Sequence, residues 1–126
     1  MMYRVAEEVA ALEGAEALVT GEILGEHASQ TLRNLRVEEE ALREVPVLRP
    51  LLGMDKVEVE RLARKIGTFE ISTKPALCCS APPGTPRTQA RPEEVTAAEK
   101  GLNIRAMIER DMKGAEILEI AEVATF

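Results

Sequence analysis

The chain has 126 residues, 45% of them apolar and 30% charged, with a formal net charge of −6. That is room for one domain and not two, and a chain of this size buries roughly two thirds of its unfolded surface. The acidic balance argues against a protein that coats nucleic acid by bulk electrostatics, so any RNA contact needs a local basic surface.

The residues from Met2 to Glu13 place Val5, Ala6, Val9, Ala10 and Leu12 at helical spacing on one face, and Gly14 is a suitable stop. Ala15 to Thr20 is a short apolar run closed by Gly21 and reads as a buried parallel strand. After Gly25 a helix is expected from about His27 to Glu40, with Ala28, Leu32, Leu35 and Val37 inward. Glu38, Glu39 and Glu40 read as its solvated end. Pro46 to Leu52 is extended, because Pro46 and Pro50 bias their neighbours away from helix.

Asp55 opens the clearest helix. Asp55 and Glu58 have capping-box spacing, Val59, Leu62, Ala63 and Ile66 share a face, and Gly67 closes it. Between Ser72 and Arg91 no period is visible, and four of the seven prolines lie there. Pro92 fits the first position of a further helix to about Lys100, and Asn103 can cap another that carries Ile104, Met107 and Ile108. Ala115 to Ile120 alternates like a strand. Strands alternating with helices imply an α/β fold with a mostly parallel sheet, whose ligands sit beyond the strands' carboxyl ends.

Two segments are candidate sites. In Thr20–Thr31, Gly21 would let a ligand approach the backbone and the following helix would aim free N–H groups at the crevice; a plain tight turn would look the same. His27, the only histidine, reads as a solvated surface residue. The second segment, 72–91, is a Pro-rich basic loop: no acidic side chain, three cations in Lys74, Arg87 and Arg91, and Cys78 and Cys79 in its middle. Nearby cations favour a reactive thiolate, whereas packing as small hydrophobes is the alternative. Adjacent cysteines exclude a disulfide framework and suit a reducing compartment. Two adjacent thiols and one distant imidazole make no metal site. No apolar run approaches the ~20 residues of a membrane span, and the first residues lack a secretory signal, so a cytoplasmic protein without membrane contact is expected.

The string TGEILGEHASQTLRNL, residues 20–35, resembles the Thr-Gly-Glu-x-Leu-Gly-Gln-x-x-Ser-Gln-Thr-Leu-x-Asn-Leu signature of the tRNA 4-thiouridine synthetases, the ThiI-like tRNA sulfurtransferases. Leu48-Arg49-Pro50-Leu51, Asp55-Lys56 and Ala63-Arg64-x-Ile66-Gly67-Thr68 follow in the family's order. Glu26 stands where glutamine is usual, and His27 where a small apolar residue is usual. The resemblance implies a Rossmann-like three-layer sandwich of the PP-loop, adenine nucleotide alpha hydrolase-like class, residues 1–126 being the carboxyl-terminal half of that one domain. It implies ATP, with Mg2+, contacting Gly21 and Gln30, and Cys79, with its neighbour Cys78, taking part in sulfur transfer to a tRNA uridine. Some relatives serve thiamine biosynthesis instead. The family's Ser-Gly-Gly-x-Asp-Ser pyrophosphate loop is not among these residues, so a partner chain bearing that loop is expected, together with a sulfur-donor protein. A non-catalytic, self-associating regulatory protein derived from the enzyme is the alternative, and an incomplete gene product a further one.

Overall fold

The computed structural model describes residues 1–27, 29–74 and 86–118. In chain order these form α1 (Met2–Glu13), β1 (Leu18–Val19), α2 (Leu32–Glu39), β2 (Val47–Leu48), α3 (Lys56–Lys65), α4 (Phe69–Ser72), α5 (Pro92–Glu99) and α6 (Ile104–Lys113).

Helix α1 ends where the sequence places its stop. Gly14 is left-handed at φ 66°, its N–H donates to the Ala10 carbonyl, and Ala15 N–H reaches the same oxygen at 2.8 Å. Strand β1 pairs in parallel with β2 in the register Leu18 to Val47 and Val19 to Leu48. A parallel pair needs a crossover, and α2 supplies it. The sheet is flanked by α1, which packs on β1 and on α6. Two side-chain ties join α1 to α5 and to the segment that follows α2. Arg4 makes a two-pronged pair with Glu99 at 2.6 and 2.9 Å, and Glu7 accepts the backbone N–H groups of Arg43 and Glu44 at 2.7 and 2.8 Å.

The expected buried strand is corrected. Only Leu18–Val19 of the Ala15–Thr20 run is strand, and Val19 is 68% exposed. Its apolar side chains were written for a sheet covered on both faces, and the described residues do not supply that cover. The α2 boundary is also corrected. The helix begins at Leu32, not near His27, because Thr31 is extended at φ −104° and its side chain caps the Asn34 N–H. Leu35 is buried and Val37 half-buried as expected, but Leu32 is 62% exposed, and Ala28 lies outside the described residues.

The Asp55–Glu58 capping box of α3 forms in full. Its apolar face is only partly covered, Ile66 being 63% exposed. Gly67, at φ 81°, turns the chain into α4, and the Arg64 guanidinium lies 3.3 Å over the Phe69 ring across that turn. Four residues are too few to show a period, so α4 was not expected. Pro92 opens α5 and Asn103 caps α6 through the Ala106 N–H, both as anticipated. Residues 115–118 form no strand; the rest of that expected strand lies outside the described residues.

Candidate functional site

Pairing does not stop with the two-residue strands. Thr20 N–H donates to the Leu48 carbonyl at 3.0 Å, and Leu24 N–H to the Leu52 carbonyl at 3.3 Å. The chain therefore leaves the carboxyl ends of β1 and β2 as two limbs running side by side. Between them opens a cleft of about 380 Å³ lined by Ile23, Leu24, Glu26, Leu52, Gly53, Met54, Asp55 and Lys56. It lies where parallel sheets bind ligands.

The base of those limbs is fixed by Arg49, which follows β2 directly. Its guanidinium donates to Glu22 at 3.0 Å, to Glu39 at 2.9 Å, and more distantly to the Tyr3 hydroxyl and the Leu35 carbonyl. Glu22 in turn accepts from the Tyr3 hydroxyl at 2.9 Å and from the Thr20 hydroxyl. Burial opposes the charge on Arg49, but its bonds to Glu39, Tyr3 and Glu22 outweigh that and raise its pKa. Burial likewise pushes the Glu22 carboxyl up, and the bonds from Thr20, Tyr3 and Arg49 reverse it, holding the carboxyl below its ordinary value. Glu39 is therefore an anchor for Arg49, not part of a merely solvated helix end.

Gly21, the first site residue expected from sequence, sits between Thr20 and Glu22 in this fixed turn. It is exposed, and a Cβ built on it meets no described atom within 4 Å. Its φ is not left-handed, so neither conformation nor crowding within the described residues demands glycine there. Gln30 belongs to a loop closed by its own carbonyl, which accepts the Gly25 N–H at 2.9 Å. Its side-chain Oε1 accepts the His27 N–H at 3.2 Å, and among the described residues its amide nitrogen donates to nothing. Thus His27 and residues 29–31, within the expected helix start, lie in a loop. Gly25, at φ 78°, makes it possible.

Glu26, which adds a negative charge beside the cleft, is paired with Lys56 at 2.8 Å. That pair, absent from the sequence reading, offsets the charge locally. Thr31 caps one leading amide of α2, that of Asn34, and the Asp55 box caps one of α3, that of Glu58. Cys78 and Cys79 lie outside the described residues. Of the basic loop, Arg87 is 3.6 Å from Glu94, and residues 87–90 are fastened to α2 by bonds to Thr31, Arg33 and Asn34. Among the described residues no group of three or more His, Cys, Asp or Glu is placed to hold a metal ion, and no helix is long and apolar enough to cross a membrane.

Residues 1–104 match the family described as thiamine biosynthesis protein (ThiI). The chain belongs to the ThiI family. A probable tRNA sulfurtransferase of Methanothermobacter thermautotrophicus is 48% identical over 104 residues, covering 82% of this chain and 26% of that protein. Probable tRNA sulfurtransferases of Methanosarcina mazei and Moorella thermoacetica are 41% and 43% identical, each over 95% of this chain and over 29% and 31% of their own lengths. A solved structure, described as a 4-thiouridine synthetase–RNA complex with bound ATP, superposes with a TM-score of 0.76 at 40% identity, over 87% of this chain and 29% of that one. The fold class is therefore Rossmann-like α/β, as expected from the sequence. The chain spans between a quarter and a third of the length of these ThiI relatives.

Two outcomes follow for the turn. Glu22 has a lowered carboxyl pKa, so its contribution is complete above the ordinary value of 4.5 and fades as pH falls through the lower folded value. Glu22→Gln should cost about 1–2 kcal/mol near neutral pH, and the gap to wild type should close in acid; thermal melts across pH read this directly. Gly25→Ala should cost about 1 kcal/mol from its positive φ, whereas Gly21→Ala should leave stability within about 0.5 kcal/mol.

Proposed function

We propose that these residues form the adenosine-binding, carboxyl-terminal half of an ATP-dependent tRNA uridine thiolation module acting in the cytoplasm. The observation that carries this reading is the open approach over Gly21, beside an apolar cleft off the ends of β1 and β2, in a chain of this family. ATP fits at its nucleoside end. Ile23, Leu24, Leu52 and Met54 offer apolar walls for a base, Gly21 admits it close to the backbone, and the Gln30 amide N–H groups have no acceptor among the described residues.

The polyphosphate end is different. One leading amide of α2 and one of α3 are capped by the chain's own Thr31 and Asp55, and Lys56 is held by Glu26. We assign the phosphates and their Mg2+ to a Ser-Gly-Gly-x-Asp-Ser loop contributed by a complementing polypeptide, whose backbone amides would neutralise departing pyrophosphate. Docking of that polypeptide would also cover Val19 and Leu48 on the sheet.

In this scheme ATP converts the uridine oxygen into a leaving group and a persulfide of the donor protein displaces it as AMP, leaving a donor–S–S–uridine adduct. The Cys79 thiolate attacks the donor sulfur of that bond, which breaks to release 4-thiouridine and leaves a Cys79–donor disulfide for an external thiol to reduce. Cys78 stands beside Cys79 as the second cysteine of the pair.

The experiment mixes the chain with a separately produced, loop-bearing amino-terminal portion of a relative, plus tRNA, ATP and a persulfide donor. Thiolated nucleoside, read by mass spectrometry, should appear only with both polypeptides. Cys79→Ser should remove the product while ATP is still cleaved to AMP and pyrophosphate. Thiolation by the 126-residue chain alone, or undiminished thiolation by Cys79→Ser, contradicts the proposal; no product from the intact pair favours the non-catalytic, self-associating alternative.

A further inference from the structure

Asn34 is the one buried polar side chain among the described residues, 5% exposed at the third position of α2. Every hydrogen-bonding direction it uses leads out of the helix. Its Nδ2 donates to the Ser29 carbonyl at 2.7 Å and to the Arg87 carbonyl at 2.6 Å, and its Oδ1 accepts the Ala90 N–H at 2.8 Å. Rotating the amide by half a turn would set oxygen against two carbonyls and NH2 against an N–H, so a single orientation satisfies all three partners.

The partners are far apart in sequence. Ser29 precedes Gln30, and its carbonyl belongs to the peptide plane that sets the direction in which Gln30 leaves the loop. Arg87 and Ala90 belong to the segment that returns from the cysteine-bearing loop into α5. Around this amide the Thr31 hydroxyl donates to the Thr88 carbonyl at 2.8 Å, and Arg33 to the Gln89 side chain at 3.3 Å. Thr31 and Arg33 are exposed or half-exposed to water, which competes for those bonds; the Asn34 bonds are sheltered and cannot be replaced that way.

We propose that Asn34 is a positioning residue that joins the Gln30 loop and the Arg87–Ala90 segment into one rigid unit. The nucleotide part of this inference rests on the proposed function. Gln30 is the group that would meet the nucleotide, and Asn34 acts through it. The unit also means that displacing residues 87–90 displaces Gln30, although the two share no direct bond.

Asn34→Asp keeps size and acceptor and deletes both donors. In hydrogen exchange of the whole chain, the Ala90 amide and the Gly25 amide, which is bonded to the Gln30 carbonyl, should both exchange about tenfold faster, with α3 unchanged. In the complemented enzyme the ATP KM should rise about tenfold with kcat within about twofold, because ground-state placement of Gln30 is what is lost. Glu99→Gln, which weakens the Arg4 pair remote from the loop, should lower the melting temperature and leave the ATP KM where it was. Ala90→Pro removes the far donor without touching α2, and should move the ATP KM in the same direction. Loosening of only one of the two amides, or an ATP KM unmoved by both Asn34→Asp and Ala90→Pro, overturns the inference. Should the wild-type pair use no ATP, the functional reading falls, and the exchange result decides the rigid unit by itself.

Discussion

Arg49 is the constraint on which the rest of this structure depends. The paired strands are two residues each, and so short a ladder cannot alone fix how the chain departs from its carboxyl end. Arg49 does it with a planar fork of donors: one arm on Glu22 after β1, another on Glu39 at the end of α2, with Tyr3 of α1 completing the ring. Four elements meet at one guanidinium whose side chain is 10% exposed. Lysine could not reproduce this, because a point charge lacks the rigid geometry that separates the partners. The bond between Arg49 and Glu22 ties together the two limbs that run on to line the cleft.

Much of the organisation could be read from the residues because the signals were local. Gly14 as a left-handed stop, the Asp55–Glu58 box, Pro92 at a helix start and Asn103 as a cap each act within a turn of the chain, and each is seen. The failures are non-local. Ala15–Thr20 is apolar enough for a buried strand, yet whether Val19 is buried depends on what packs against it. The helical spacing of α2 was extended back to His27, but the Gly25 turn, the Thr31 cap and the bond from Asn34 to the Ser29 carbonyl hold His27 and residues 29–31 in a loop.

The site shows the same division. Gly21 and Gln30 were candidates through the family signature, and the structure puts the first in an open turn and the second in a loop where, among the described residues, its amide nitrogen has no acceptor. Arg49, Glu22 and Asn34 stand in the same motifs, but nothing in the sequence marked them as joining distant segments. A charged or amide residue within a motif does not reveal its partners, and those here lie up to 56 residues away. Spacing could not have found them. The Glu26–Lys56 pair is a similar case, an apparent liability in the sequence that acquires its counter-charge only on folding.

The proposed function requires Gly21, Gln30 and Cys79 to face one crevice at the carboxyl edge of the sheet. A nitroxide attached to Cys79, in a Cys78→Ser background of the isotope-labelled chain, measures this most directly through paramagnetic broadening of backbone amides. The Gly21 and Gln30 amides should be strongly broadened and those of α6 should not. Sharp Gly21 and Gln30 signals beside a broadened remote surface would contradict a shared site.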